Sequence, residues 1–134
     1  MTDTALLQAA KEAMKQAYAP YSGYQVGAAL LCEDGSVYTG CNIENASFGV
    51  TNCAERTALF KAVSEGKRRF TAIAVIGGKG GVCADYAFPC GVCRQALSEF
   101  CGEEFRVVLG KDGGEAKVTT LGELLPGAFR LASE

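Results

Sequence analysis

The chain has 134 residues, 49% apolar and 21% charged, with a formal charge of -2, seven cysteines and no histidine. These proportions suit one folded domain spanning 1–134 and exclude a disordered chain, and the weak negative charge offers no general attraction for nucleic acid or an anionic membrane. No apolar run is long enough to cross a bilayer, and Lys11, Glu12 and Lys15 interrupt the N-terminal stretch, so neither a membrane helix nor a signal peptide is expected and the location implied is cytoplasmic.

Leu6, Leu7, Ala10, Met14, Ala17 and Tyr18 recur at helical spacing and predict a first helix over about 4–18, stopped before Pro20. Residues 26–32 and 36–41, separated by Asp34-Gly35, read as a hairpin. A second helix is predicted from Cys53, with Thr51 and Asn52 as candidate caps and Gly66 as its stop. Residues 70–76 read as a central strand, and the glycine-rich stretch 77–81 reads as a mobile connection. A third helix over 91–100, a strand over 105–109, a weak strand over 117–120 and a short helix over 121–125 complete the chain. A hairpin followed by alternating helices and strands predicts an α/β fold built on a mixed layered sheet, with the second and third helices on one face.

The chemistry concentrates in Cys53-Ala54-Glu55-Arg56 and Pro89-Cys90-Gly91-Val92-Cys93. Cys90 and Cys93 alone fit either a redox pair or metal ligands, and Cys53 tips the reading to metal. Without imidazole a metal must be held by thiolates, and a proton shuttle at neutral pH must be a carboxylate or another perturbed group. Three protein ligands leave one tetrahedral position open, the mark of a catalytic rather than a structural zinc. Side chains two apart do not share a helix face, so Cys53 must occupy the cap while Glu55 reaches the open position from the first turn. Three thiolates and Zn²⁺ sum to one negative charge, which weakens the metal as a Lewis acid. Helix N-termini and Arg56, three residues beyond Cys53, can drain charge from the sulfurs.

With these motifs the chain resembles the small homotetrameric zinc cytidine deaminases. The likeness extends through APYSGYQVGAALL at 19–31, GCNIENASFG at 40–49, NCAERTALFKAVSEG at 52–66, PCGVCRQ at 89–95 and ELLPGAF at 123–129. It implies a three-layer α/β/α sandwich with a mixed five-stranded sheet, and one Zn²⁺ per subunit on Cys53, Cys90 and Cys93. Glu55 would carry a proton from the zinc-activated water to ring nitrogen 3 and then to the leaving amino group. Asn42 and Glu44 would hold ribose hydroxyls, the Ala54 backbone would read the base, and Tyr24 and Phe48 would stack on it. Tyr24 stands where the family commonly has phenylalanine, and Phe48 where it often has tyrosine. Phe129 would reach into a neighbouring subunit's site.

The implied reaction is hydrolytic deamination of cytidine and deoxycytidine to uridine and deoxyuridine, with release of ammonia, in pyrimidine salvage. A carboxylate at position 44 would accept hydrogen bonds from sugar hydroxyls and repel a 3'-phosphate, which favours free nucleosides. Three other readings make different predictions. A blasticidin-type aminopyrimidine deaminase shares the Cys-Ala-Glu and Pro-Cys-Gly-x-Cys patterns, a non-catalytic zinc module would bind metal without turnover, and a thiol oxidoreductase would cycle Cys90 and Cys93 through a disulfide. Arg56 with the Asn42–Glu44 pair favours cytidine. Cys32, Cys41, Cys83 and Cys101 match no ligand spacing and are expected to behave as small apolar residues or plain thiols.

Overall fold

A computed structural model describes residues 1–131; residues 132–134, which end the expected domain, lie outside the described residues. The first helix, α1, spans Asp3–Met14 and is capped by Thr2, whose hydroxyl accepts from the Ala5 amide at 3.1 Å. It stops four residues short of the expected end at 18. The Tyr18 backbone is committed elsewhere, its N–H donating to Asn42 and its carbonyl accepting from Glu44, which pulls the chain out of the helix. Strands β1 (Tyr24–Cys32) and β2 (Val37–Cys41) form the expected hairpin. Helix α2 (Ala54–Ser64), strand β3 (Phe70–Lys79), helix α3 (Gly91–Ser98), strands β4 (Arg106–Leu109) and β5 (Lys117–Thr120) and the single-turn helix α4 (Leu121–Leu124) follow. Among the described residues, no helix is long and apolar enough to cross a membrane.

The sheet order is β2-β1-β3-β4-β5, with β3 and β4 parallel and the other neighbours antiparallel. Side-chain alternation divides the core between the two faces. Leu30, Ile73, Val75 and Val107 meet Ala58, Leu59 and Leu97 on the α2–α3 face. Ala29, Ala74, Ile76 and Val108 meet Leu6, Ala10 and Met14 of α1 on the other. The result is the three-layer arrangement expected, with β3 buried on both faces and therefore continuously apolar in sequence.

The glycine stretch 77–81 is only partly a connection. Gly77 and Gly78 belong to β3 and pair with Val26 and Gln25 of the long β1 strand, so register extends the strand beyond the last bulky residue. A Cβ on Gly78 would lie 1.9 Å from the Val82 carbonyl oxygen, which explains the bare backbone. The turn itself falls on Gly80 and Gly81, whose φ values are 64° and 82°.

This topology fixes where chemistry can occur. Strand β2 is antiparallel to β1 and β1 to β3, so β2 runs in the direction of β3. Helix α2 connects β2 to β3, and α3 connects β3 to the parallel β4. Both helices therefore begin at the same end of the sheet, beyond the carboxyl ends of the strands that precede them, where open α/β sheets gather ligands. Close packing sets the depth of α2: a Cβ on Gly40 would lie 2.5 Å from the Ala58 nitrogen and 2.7 Å from the Ala54 oxygen.

Candidate metal centre and active site

Cys53 caps α2 and Cys90 caps α3, both with extended backbone. In neither case does the side chain cap its own helix, so each sulfur is free to turn toward a common point. Thr51 and Asn52 do not take the cap. The Thr51 hydroxyl accepts from the Asn45 amide, and Asn52 donates to the Thr57 hydroxyl, which in turn donates to the Cys53 carbonyl at 3.2 Å.

The Cys53, Cys90 and Cys93 sulfurs lie within 4.8 Å of one another, and the Cys53–Cys90 separation is 3.7 Å. Tetrahedral zinc with Zn–S near 2.3 Å requires sulfurs about 3.8 Å apart. Geometry and donor chemistry thus both fit zinc. Arg56 lies against the sulfurs: Nη2 donates to the Cys53 sulfur at 3.3 Å, while its buried Nε has no partner among the described residues. The Cys93 thiol, with Arg56 and Cys90, brings Cys53 down to about 5 against the opposing effect of burial. Cys93 moves upward, because the Cys53 sulfur beside it and burial both disfavour a second thiolate. Burial opposes the charge on Arg56, but its hydrogen bonds to Cys53 and Cys93 outweigh it and strengthen the cation.

Glu55 stands in the first turn of α2 and is 4% exposed. Burial, reinforced by the Cys53 charge, pushes its carboxyl up to about 7 against the pull of its own backbone N–H and of Arg56. It lines a cavity of about 360 Å³ together with Cys53, Cys90, Ala54, Asn42, Glu44 and Tyr24. That volume lies within the range of small-ligand sites. At the far wall Glu44 accepts from the Tyr21 and Ser22 amides at 2.9 and 3.1 Å and from the Ser22 hydroxyl. The Ser22 hydroxyl leads these contacts in holding the carboxyl below its usual range. Asn42 is occupied by the β1 backbone, its Oδ1 accepting from the Val26 amide at 2.9 Å and its Nδ2 donating to the Tyr24 carbonyl at 2.8 Å.

Two expected contacts are not brought into this cavity by a single chain. Phe48 is 84% exposed and lines an adjoining hollow of about 380 Å³ with Glu44 and Tyr21. Phe129 is 69% exposed and joins neither space; its carbonyl accepts from Gln95 at 3.0 Å. Conversely, Phe88, Tyr86, Val26 and Asn52 line the cavity, although the sequence offers none of them as a site residue and Asn52 only as a helix cap. Phe88 directly precedes Pro89-Cys90, so its place beside the ligand loop was available as a signal. The others arrive through strand register and loop packing, which spacing does not reveal.

Comparison with known proteins agrees with the geometry. Residues 1–110 match the family described as the cytidine and deoxycytidylate deaminase zinc-binding region. A cytidine deaminase of Halalkalibacterium halodurans is 54% identical over 127 residues, covering 92% of this chain and 91% of that protein. The crystal structure of a cytidine deaminase from Burkholderia pseudomallei superposes with a TM-score of 0.89 at 51% identity, covering 96% of this chain and all of that one. A blasticidin-S deaminase of Bacillus cereus is more distant, at 31% identity over 128 residues, with 92% of this chain and 89% of that protein covered. With its thiolate cluster, buried carboxylate and three-layer sheet, the chain belongs to the cytidine and deoxycytidylate deaminase zinc-binding family.

Proposed function

We propose that this protein hydrolyses the exocyclic amino group of cytidine and deoxycytidine, giving uridine or deoxyuridine and ammonia. The observation that carries the reading is a nearly buried carboxylate, Glu55, in the same cavity as a zinc-sized group of three sulfurs. Zinc held by Cys53, Cys90 and Cys93, one ion per subunit, supplies Lewis acidity toward water. Glu55 accepts the proton of the attacking water and delivers it to ring nitrogen 3. It then takes the remaining proton of that water, carried on the new C4 hydroxyl, and passes it to the amino group, which departs as ammonia as the C4–N bond breaks and the C4 carbonyl forms. A carboxyl held near 7 can occupy both states during one cycle. The Ala54 backbone faces the base and Tyr24 packs on it, while Glu44, kept ionised by its donors, accepts from the sugar hydroxyls. Asn42, held against the β1 backbone through Oδ1 and one Nδ2 hydrogen, has one Nδ2 hydrogen left to offer the ribose.

The substrate is a free nucleoside: an ionised Glu44 repels a 3'-phosphate directly and a 5'-phosphate more weakly. Residues 1–134 act as one catalytic domain in a cytoplasmic enzyme of pyrimidine salvage. The homotetramer rests on the family resemblance, and the exposed apolar side chains Tyr18, Tyr21, Phe48, Phe88, Val92 and Phe129 support contact between copies of the chain. In that assembly Phe129 completes a neighbour's site, and Phe48 stacks at the rim. The test measures bound zinc and ammonia released from cytidine for the wild type and Glu55→Ala. Metal retained with turnover abolished supports the reading. Undiminished turnover in Glu55→Ala, zinc without turnover in the wild type, or faster reaction of deoxycytidine monophosphate than of cytidine overturns it or its substrate choice.

A further inference from the structure

Cys90 is the exposed member of the sulfur group, and its loop lacks the short-range bracing that Thr57 and Asn52 give Cys53. What holds it comes from farther away. Arg94 lies one turn into α3, and its Nε donates to the Pro89 carbonyl at 2.7 Å while its Nη1 donates to the Leu124 carbonyl at 2.7 Å. Its backbone N–H donates to the Cys90 carbonyl at 2.9 Å.

Proline fixes its own φ, so the soft torsion upstream of Cys90 is ψ of Pro89, and that rotation swings the Pro89 carbonyl and the Cys90 sulfur together. A donor on the Pro89 oxygen therefore fixes the direction of the ligand. The second carbonyl belongs to the end of α4, a helix too short to satisfy its last carbonyls internally. One planar guanidinium joins the two points, which a lysine ammonium could reach only one at a time. Gln95, the next residue, makes a separate tie to the Phe129 carbonyl and does not touch the ligand loop.

We propose that Arg94 is a positioning residue that clamps the peptide before Cys90 to the C-terminal end of α4, making zinc retention depend on the segment around Leu124. This inference rests on the reading of Cys53, Cys90 and Cys93 as zinc ligands. Arg94 itself does not line the cavity.

The test follows zinc transfer from the holoenzyme to a chromophoric chelator, together with the thermal midpoint of the zinc-loaded protein. Wild type, Arg94→Ala, Arg94→Lys and Gln95→Ala are compared. Arg94→Ala is expected to release zinc about tenfold or more faster, Arg94→Lys to fall between it and wild type, and Gln95→Ala to stay within about twofold of wild type. A lowered midpoint with unchanged zinc release in Arg94→Ala, or an equal acceleration in Gln95→Ala, overturns the proposal. If Arg94→Ala does not fold, Arg94→Lys decides, and wild-type zinc release in it overturns the proposal. Wild-type protein that holds no zinc overturns the metal reading itself, whereas zinc-loaded wild type with unaltered Arg94 variants overturns this inference alone.

Discussion

The two helix ends that meet at the metal are built in opposite ways. At α2 the cap is followed by Ala54 and Glu55, both buried, and β2 presses close enough at Gly40 to exclude a methyl group. At α3 the cap is followed by the exposed Gly91 and Val92, and a Cβ on Gly91 would meet open space. Close packing and local hydrogen bonds fix the first end, and the distant ties of Arg94 hold the second. The rigid end carries the carboxylate that must be placed to a fraction of an ångström, and the looser end completes the metal cage.

The largest expected effect separates the two duties of α2. Glu55→Gln keeps shape and burial but cannot shuttle protons, so turnover falls about 10²- to 10⁴-fold with zinc content unchanged, as metal analysis and ammonia release would show. Next comes the contrast between arginines. Arg56→Gln removes a cation from sulfur and leaves the thiolates more donating, so turnover drops about 10- to 100-fold in protein still loaded with zinc. Turnover at the wild-type rate would mean that the helix ends alone offset the sulfur charge.

Packing can be separated from hydrogen bonding with two glycines. Gly40→Ala forces a methyl into the α2 backbone and should destabilise the zinc-loaded protein by about 1–3 kcal/mol in urea unfolding. Gly91→Ala, at an open first-turn position, should change stability by less than about 1 kcal/mol and in the favourable direction. Equal losses would erase the distinction between the ends.

The smallest effect lies far from both. Arg106 grips Asp3 through two hydrogen bonds at 2.8 and 3.0 Å and holds its carboxyl below the ordinary value of 3.8. A depressed carboxyl stabilises the fold above its unfolded pKa and loses that contribution as pH falls through its folded pKa. Asp3→Asn should therefore cost no more than about 1 kcal/mol at neutral pH, with the difference from wild type vanishing in acid below the usual carboxylate range. Thermal unfolding at several pH values checks the sign.

Sequence made the metal ligands, the cap position of Cys53 and the central strand legible, because each follows from spacing or from a continuous apolar run. It overextended α1, since nothing near Tyr18 announces that its backbone will bond to the stretch around Asn42 and Glu44. It treated Gly77 and Gly78 as a connection because glycine normally ends strands, whereas pairing with β1 carries the strand through them. The occupied amide of Asn42 was equally hidden, for its partners come from the register of β1 rather than from its own neighbours. Arg94 looks in sequence like an ordinary surface cation, and only its two carbonyl partners mark it out.

The nearness of the Cys53 and Cys90 sulfurs joins points 37 residues apart in the chain. A bound ion there would act as a cross-link across all of α2, all of β3 and the loop beyond. Closing a loop of that length removes on the order of 3–4 kcal/mol of conformational freedom from the unfolded chain, by analogy with a disulfide. That is a large fraction of the net stability of a small domain. Metal depletion would then shorten the lifetime of the polypeptide itself, exposing it to proteolysis and aggregation, and zinc supply would set how much of this protein a cell holds.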